Sequence, residues 1–477
     1  MKIVKNYLYN VGYQLFVIII PLITIPYISR VLGSTGVGIN AYTNSIIQYF
    51  VLIGSIGINL YGNRTIAYYR DDKQKLSQLF WEIAILRIIF ISASYLLFLI
   101  FIGFVTKFKE YYFYQSFLLV AAAFDISWFF MGLEDFKKTV LRNIIIKLIS
   151  LVAIFSLVKN ANDTGLYILI LSLSVFVGNL TLWTYLVRIV ESPKFNEINI
   201  VRHIKPSLEL FIPQVATQIY LVLNKTMLGS MSGVKSAGYY ENSDKIVKVI
   251  LAVVTATGTV MLPRMANTFA QGNLNKVHQY LYRSLDFVSA ICFPMAFGLA
   301  AIAPKFSIWF LGKEFEITGT IIPILSVVII FIGWSNVLGT QFLLPTNQTK
   351  YFTISVIGGA LVNLVLNIPL IWSYGVIGAS ISTIASEFTV TSIQLYFASK
   401  GLSVEKLFSH KWKYIVSALM MFIAVRVMNS LFSMNVFFLG VQVFVGCIVY
   451  TTLLFILKAP ILTQIKELIG SEQNGRR

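Results

Sequence analysis

The chain is dominated by apolar runs about as long as a lipid bilayer is thick. A bilayer core of about 30 Å needs about 20 apolar helical residues, and runs of this length recur between charged or Gly/Pro-rich breaks along all 477 residues. The predicted spans cover approximately 8–29, 39–61, 79–104, 113–133, 143–158, 166–187, 207–228, 239–262, 284–304, 318–343, 351–373, 375–397, 414–431 and 436–457. The runs are continuous and do not alternate, which argues against barrel strands. The sequence therefore predicts an all-α, polytopic membrane protein with about 14 transmembrane helices.

Composition and charge agree with this interpretation. Apolar residues make up 57% of the chain and charged residues 12%, whereas soluble domains carry about a quarter charged residues. The net charge of +18 comes from 38 Lys and Arg against 20 Asp and Glu. With the N-terminus inside, 25 basic residues fall in segments on its side of the membrane and 7 in segments on the other side. This excess predicts cytoplasmic termini and no nucleic-acid partner.

Two similar stretches indicate an internal repeat. RVLGSTGVGINAYTNSI begins at Arg30 and TMLGSMSGVKSAGYYENSDKI begins at Thr226, so that Gly33 pairs with Gly229. Six helices separate the copies, which predicts two six-helix lobes related as a parallel repeat, plus two C-terminal helices. The predicted domains are an N-terminal lobe (1–187), a cytoplasmic linker (188–206), a C-terminal lobe (207–397), helices 13 and 14 (398–457) and a cytoplasmic tail (458–477).

Polar residues recur at helical spacing inside several of the apolar spans. Helical periodicity places such residues on one face of a span, and they cannot face lipid tails without a cost in free energy. We expect them to line a hydrophilic cavity between the lobes, because substrate sites of repeat-built transporters lie at the repeat interface. Ordinary hydrogen bonding between packed helices is the alternative. The candidate substrate-binding residues are Lys225, Arg30, Gln14, Asn44, Gln214, Gln218, Lys245 and Lys248.

Acidic residues inside the spans are candidates for ion coupling. A charge at the bilayer centre costs roughly 2.5 to 3.5 kcal/mol on insertion scales, so that it needs a partner, water or a function. Asp125 and Glu387 are the acids predicted to lie deepest, and each could bind a coupling H+ or Na+ or serve as a buried structural acid. In helix 8, Glu241 precedes Lys245 and Asp244 precedes Lys248 by one turn, which allows two ion pairs. Both cysteines lie in apolar runs and all three histidines in loops, which predicts no metal site.

Several stretches together resemble a known family. They are YNVGYQLFVIIIPLITIPYISRVLG (9–33), INLYGNRTIAYYRDDKQKLS (58–77), WFFMGLEDFKK (128–138), FIPQVATQIYLVLNKTMLG (211–229) and GYYENSD (238–244). They are similar to the Wzx-type polysaccharide repeat-unit flippases, which export O-antigen or capsule units and belong to the multidrug/oligosaccharidyl-lipid/polysaccharide (MOP) exporter superfamily. The chain departs from the family pattern at Asn224, where an acidic residue is expected beside Lys225.

This resemblance implies a flippase that moves an undecaprenyl-diphosphate-linked oligosaccharide from the inner to the outer leaflet of a bacterial membrane. It implies a polysaccharide polymerase and other assembly proteins as partners. The chain lacks a GxxxxGK[ST] loop, which argues against direct ATP hydrolysis and predicts a transporter without a cofactor. The alternatives are a multidrug or organic-cation antiporter of the same superfamily and a membrane polysaccharide polymerase.

Overall fold

The computed structural model describes residues 2–193 and 195–464, apart from the side chains of residues 2–18, 188, 195, 212–214, 216, 217, 219–221, 259 and 260. Every regular element in the described part is helical. The helices are α1 (Lys2–Ser55), α2 (Ile58–Tyr69), α3 (Lys73–Phe104), α4 (Lys109–Ala123), α5 (Ser127–Gly132), α6 (Phe136–Leu157), α7 (Thr164–Trp183), α8 (Ile204–Met231), α9 (Val234–Ala270), α10 (Leu274–Leu311), α11 (Thr318–Ser326), α12 (Val328–Ser335), α13 (Thr349–Ala398), α14 (Val404–Phe408), α15 (Lys411–Leu431) and α16 (Val436–Ile456). A π-helical segment, Asn336–Leu343, follows α12. The prediction of an all-α fold is confirmed.

Eleven helical stretches in the described part of the chain are long and apolar enough to cross a membrane. One of these stretches, Thr349–Ala398, contains two of the predicted spans, and another, Ile19–Tyr69, contains the span 39–61 and the second half of the span 8–29. Eleven stretches therefore account for thirteen of the predicted spans, and the remaining one lies in α8, a helix of 28 residues. The chain is a multi-pass membrane protein.

Kinks at single glycines separate two pairs of predicted spans. Within α1 two helices meet at Gly33, whose φ is 66°, without a loop between them. Within α13 the predicted spans 351–373 and 375–397 meet in the same way at Gly375, whose φ is 55°. Glycine adopts positive φ without the steric cost that a Cβ imposes, so a single residue redirects each helix. The predicted span 318–343 is divided into α11, α12 and the π-helical segment.

Two other spans of the first unit are broken near one end. Ile56 and Gly57 have φ values of 34° and 75° and separate α1 from α2. Residues Phe124 to Ile126 separate α4 from α5. The short helices α2 and α5 pack closely on each other, since a Cβ on Gly62 would collide with the Trp128 ring.

Side-chain caps mark where several helices begin. Asp72 accepts a hydrogen bond from the Lys75 amide (3.1 Å) at the start of α3, and Asn435 accepts one from the Phe438 amide (2.8 Å) at the start of α16. Such caps satisfy amide groups that have no partner within the helix.

The chain forms two compact units, Met1–Gly238 and Tyr239–Arg477. In the first, α1 packs against α3, α4, α6 and α8, and a large apolar cluster around Phe80, Trp128 and Phe129 fills the space between α2, α3 and α5. In the second, α10 packs against α11, α12 and α15. The predicted lobes and their linker at 188–206 remain predictions.

Candidate functional site

A polar cluster lies between α1 and α4 in the first unit. The Gln115 amide donates to Asn40 Oδ1 at 3.1 Å and lies 3.4 Å from Thr43 Oγ1. Asn44, one of the predicted binding residues, is half-buried and donates to Gln115 Oε1 at 3.3 Å. Gln115 was not predicted, although its exposed fraction is only 2%. The cluster supplies amide donors and acceptors inside an apolar helix bundle.

Helix α8 contacts α1 next to this cluster. Thr226 Oγ1 lies 2.9 Å from Ser45 Oγ and 3.2 Å from Tyr49 OH. Gly229 packs directly on the Tyr42 ring. A Cβ on this glycine would overlap the ring. Lys225 precedes Thr226 in α8 and is half-buried. The predicted cation is therefore on a helix whose C-terminal half is hydrogen-bonded to the polar face of α1.

The other predicted binding residues of the first unit have different environments. Arg30 and Gln218 are exposed. The side chains of Gln14 and Gln214 lie outside the described residues. Their roles remain predictions.

The second unit contains both ion pairs that the spacing in α9 predicts. Lys245 Nζ lies 2.9 Å from Glu241 Oε1, and Lys248 Nζ lies 2.7 Å from Asp244 Oδ2. These two predictions are confirmed. Because each lysine is next to a carboxylate, the four charges cancel in pairs along one turn of helix.

Asp125 occupies the break between α4 and α5. Its Oδ1 accepts hydrogen bonds from the Ser127 amide (2.9 Å) and the Ser127 hydroxyl (2.6 Å), which caps the start of α5. Its Oδ2 lies 3.4 Å from the guanidinium of Arg87. The sequence analysis placed Asp125 deep in its span, and the structure shows that a buried arginine accompanies it there.

Arg87 holds this break together. Its exposed fraction is 2%, and its Nη1 donates to Asn59 Oδ1 of α2 at 2.6 Å. Its Nε donates to the Ala122 carbonyl at the end of α4, which also accepts a hydrogen bond from the Asp125 backbone amide. Neighbouring carbonyls at the same break accept hydrogen bonds from Asn179 and Trp183. One arginine therefore links α2, α3, α4 and Asp125.

Glu387 lies in a polar region of α13 in the second unit. Its exposed fraction is 7%. The two halves of α13, which meet at Gly375, hydrogen-bond to each other here: Asn363 donates to Ser382 Oγ (3.3 Å), and Ser386 donates to the Gly359 carbonyl (2.7 Å). Glu387 is therefore a buried carboxyl in a polar part of α13, and its ion-coupling role remains a prediction.

A buried network around Glu82 was missed by the sequence analysis. Glu82 is fully buried in α3. Its carboxylate accepts hydrogen bonds from the backbone amide of Asn199 (2.8 Å), from His203 Nε2 (2.6 Å) and from Arg202 Nε (2.9 Å). These donors come from the segment that the sequence analysis interpreted as a linker. That segment is hydrogen-bonded to α3.

His203 connects this network to α2. A carboxylate only accepts hydrogen bonds, so His203 Nε2 carries the proton that faces Glu82, and Nδ1 lies 2.6 Å from Tyr61 OH. Burial lowers the pKa of His203 below its usual value, although Glu82 acts in the opposite direction. The interaction ties α2, α3 and the start of α8 together without requiring a protonated imidazole.

A second buried acid joins the C-terminal helices to α10. Asp286 accepts hydrogen bonds from Lys411 Nζ (2.8 Å), Tyr414 OH (2.7 Å) and the Gln464 amide (3.1 Å). Lys411 has an exposed fraction of 6%. Among the residues that the structure describes, no group of three or more His, Cys, Asp or Glu side chains could hold a metal ion.

Comparison with solved structures defines the class of protein. The chain superposes on the lipid II flippase MurJ in an inward closed conformation with a TM-score of 0.72 at 16% identity, covering 96% of this chain and 100% of that one. It therefore has the multi-helix membrane fold of that protein.

Sequence comparison identifies the family. A profile described as polysaccharide biosynthesis protein matches residues 3–269, and one described as lipid II flippase MurJ matches residues 142–450. The chain belongs to the polysaccharide biosynthesis protein family, and its resemblance to Wzx-type flippases of the MOP superfamily is confirmed.

Two relatives carry provisional names as O-antigen transporters. The protein from Escherichia coli strain K12 is 27% identical over 407 residues, which cover 82% of this chain and 96% of that protein. The protein from Shigella dysenteriae is 24% identical over 380 residues, which cover 79% of this chain and 94% of that protein.

Proposed function

We propose that this protein is a flippase that moves undecaprenyl-diphosphate-linked polysaccharide repeat units from the inner to the outer leaflet of a bacterial plasma membrane. The observation that carries the proposal is the set of amide and hydroxyl groups that α1, α4 and α8 bring together, which includes Thr226, the residue next to Lys225 in sequence. Family membership and the names of the relatives support the same activity.

The chemistry of these groups suits the proposed substrate. A diphosphate needs a cation and hydrogen-bond donors, and sugar hydroxyls need groups that both donate and accept. Asn40, Asn44 and Gln115 provide amides, and the half-buried Lys225 provides the cation. The polyprenyl tail can remain in lipid, because only the head group has to cross the apolar core.

Alternating access would carry the head group across the membrane. We propose that the termini are cytoplasmic, on the strength of the distribution of basic residues, and that a polysaccharide polymerase and other assembly proteins receive or supply the substrate. In this arrangement the ends of α3 and α8 at Phe104 and Met231 lie on the outer side.

Ion coupling through Glu387 or Asp125 forms part of the proposal. Asp125 is paired with Arg87 and accepts hydrogen bonds at the start of α5, and Glu387 is buried in a polar region of α13; each of these carboxyls is a candidate. A buried carboxyl can take up a proton or bind Na+ during one half of the cycle. Flipping that ignores both a proton and a sodium gradient would exclude this role.

An organic-cation antiporter has less support from the same residues. Such a protein needs acids that can face a cation in its cavity. Glu241 and Asp244 are paired with Lys245 and Lys248, and Asp125 is paired with Arg87. The charges of these acids are balanced within the fold.

The charge of Lys225 provides the test. We expect Lys225→Arg to retain export of lipid-linked oligosaccharide in complemented cells and Lys225→Gln to lose most of it, because only the first keeps the cation that attracts the diphosphate. Export is measured as surface polysaccharide at equal protein abundance. Lys235→Gln, which removes an exposed lysine nearby in sequence, is the control and should export normally. Full export by Lys225→Gln would contradict the proposed diphosphate site.

A further inference from the structure

The first unit contains an aromatic groove that the proposed transport function does not yet use. We propose that this groove binds a sugar ring of the transported oligosaccharide, an inference that rests on the proposed function. The groove lies between the turn joining α3 to α4 and the turn joining α8 to α9, and its volume is about 630 Å³. Small-molecule sites typically occupy about 300–1,000 Å³. The cavity is therefore large enough for a sugar.

Aromatic rings form the walls of this groove. Tyr42 of α1 and Phe108 at the start of α4 lie 6.3 Å apart between ring centroids and pack edge to face. Phe104, at the end of α3, is 84% exposed at the rim, and Tyr112 forms part of the buried wall. A pyranose ring presents apolar C–H faces, and flat aromatic surfaces are suited to cover them.

Polar groups complete the lining. Thr106, Lys107 and Ser230 are exposed residues that line the same groove. They offer two hydroxyls and a cation to sugar hydroxyls or to an acidic substituent. An acyl chain cannot form hydrogen bonds or ion pairs with these three groups, so the mixed lining favours a saccharide over a lipid tail.

Phe108, whose ring lines the groove, has a strained backbone. Its φ is 61° and its ψ 21°, in the left-handed region, and its side chain does not cap α4. An aromatic residue rarely adopts this conformation, which glycine adopts without steric cost. Strained residues of this kind cluster at binding sites, and here the strained residue contributes a wall of the groove.

The groove lies about one helical turn from Lys225. Gly229 lines the groove and follows Lys225 by four residues in α8, a rise of about 6 Å. The absence of a side chain at Gly229 lets α8 pack flush against Tyr42. In a lipid-linked oligosaccharide the first sugar is attached directly to the diphosphate, so a sugar in the groove would suit a diphosphate near Lys225.

Binding of two defined lipids tests the proposal. The probes are undecaprenyl diphosphate carrying one N-acetylglucosamine and undecaprenyl diphosphate without sugar, each titrated onto the full-length protein in lipid nanodiscs. We expect the unmodified protein to bind the sugar-bearing lipid more tightly. Phe104→Ala should weaken binding of that lipid by about threefold to tenfold and leave the sugar-free lipid unchanged, because one aromatic contact is lost.

Two further variants separate binding from folding. Phe113→Ala removes an aromatic side chain of similar type that is 55% exposed and does not line the groove, and it should bind both lipids normally. Phe108→Gly removes the ring and relieves the strained backbone; its thermal midpoint checks folding, and the folded variant should bind the sugar-bearing lipid less tightly and the sugar-free lipid normally.

Different failures have different meanings. Equal affinity of the unmodified protein for the two lipids would overturn the sugar site while leaving the proposed flippase function in place. An equal loss of both lipids in Phe104→Ala would also overturn it, since that result means that the groove holds a lipid chain. Binding of neither lipid by folded, unmodified protein would overturn the groove proposal and the proposed function together.

Discussion

Replacing Glu82 with alanine is expected to destabilise the protein by about 3–5 kcal/mol, the usual result of removing one partner from a buried charged pair. The carboxylate is fully buried, and it accepts hydrogen bonds from Asn199, Arg202 and His203. Without it, these donors would remain in the protein interior with no acceptor. The start of α8 would lose its connection to α3.

The thermal midpoint of the purified protein in detergent measures this effect. Glu405→Ala, which removes an exposed carboxylate in α14, is the matched control and should unfold like the unmodified protein. We expect Glu82→Gln to lie between the two, because it keeps the shape and an acceptor oxygen but loses the charge. A midpoint for Glu82→Ala equal to that of the control would show that the network contributes little to stability.

Removing Asp286 is expected to have an effect of similar size in the second unit. Asp286→Ala leaves Lys411 buried without its counter-ion, at a cost of about 3–5 kcal/mol. It also removes the acceptor for Tyr414 and Gln464, so that α15 and the segment after α16 should detach from α10. The expected readouts are a lower thermal midpoint and faster proteolysis between α13 and α15.

A double variant distinguishes the charge from the packing. Asp286→Leu combined with Lys411→Met replaces the pair with apolar groups, which often matches the stability of the original pair. We therefore expect the double variant to be more stable than Asp286→Ala alone. If the double variant is as unstable as the single one, packing around Asp286 is more important than its charge.

The sequence predicts the helices because a helix that spans lipid needs a continuous run of apolar residues, and such a run is visible in a single sequence. Runs of apolar residues mark the spans, and local spacing predicts the ion pairs of Lys245 and Lys248, which depend only on helical geometry. Interactions within one turn of a helix need no knowledge of the tertiary fold.

The breaks and networks depend on tertiary structure, and for that reason sequence patterns do not show them. Neither glycine nor proline marks the break at Phe124, whose carbonyl is satisfied by Trp183, 59 residues away in sequence. Glu82 and His203 are 121 residues apart in sequence. From the sequence alone, Glu82 is one polar residue of a predicted helix and His203 is a histidine in a predicted loop. Their proximity follows only from how α3 packs against the segment before α8.

Some residues of the candidate site are visible in the sequence, and others are identified only by their contacts in the fold. Asn44 and Lys225 stand out in the sequence because polar residues are costly inside apolar spans. Gln115 shows no periodic pattern with other polar residues, and only its hydrogen bonds to Asn40 and Asn44 identify it. The aromatic groove has no sequence signal, because Tyr42, Phe104 and Phe108 are unremarkable in a chain with 25 Tyr and 37 Phe.

Direct observation of flipping tests the proposed function most directly. The purified protein is reconstituted into vesicles with an undecaprenyl-diphosphate oligosaccharide that carries a fluorophore on its sugar, and a membrane-impermeant reagent then bleaches every label it can reach. In vesicles without protein only the labels of the outer leaflet are accessible. We predict that the unmodified protein makes nearly all labels accessible and that Lys225→Gln does so much more slowly. Bleaching that stops at the level of protein-free vesicles, with folded protein present, would contradict the assignment of this protein as a lipid-linked oligosaccharide flippase.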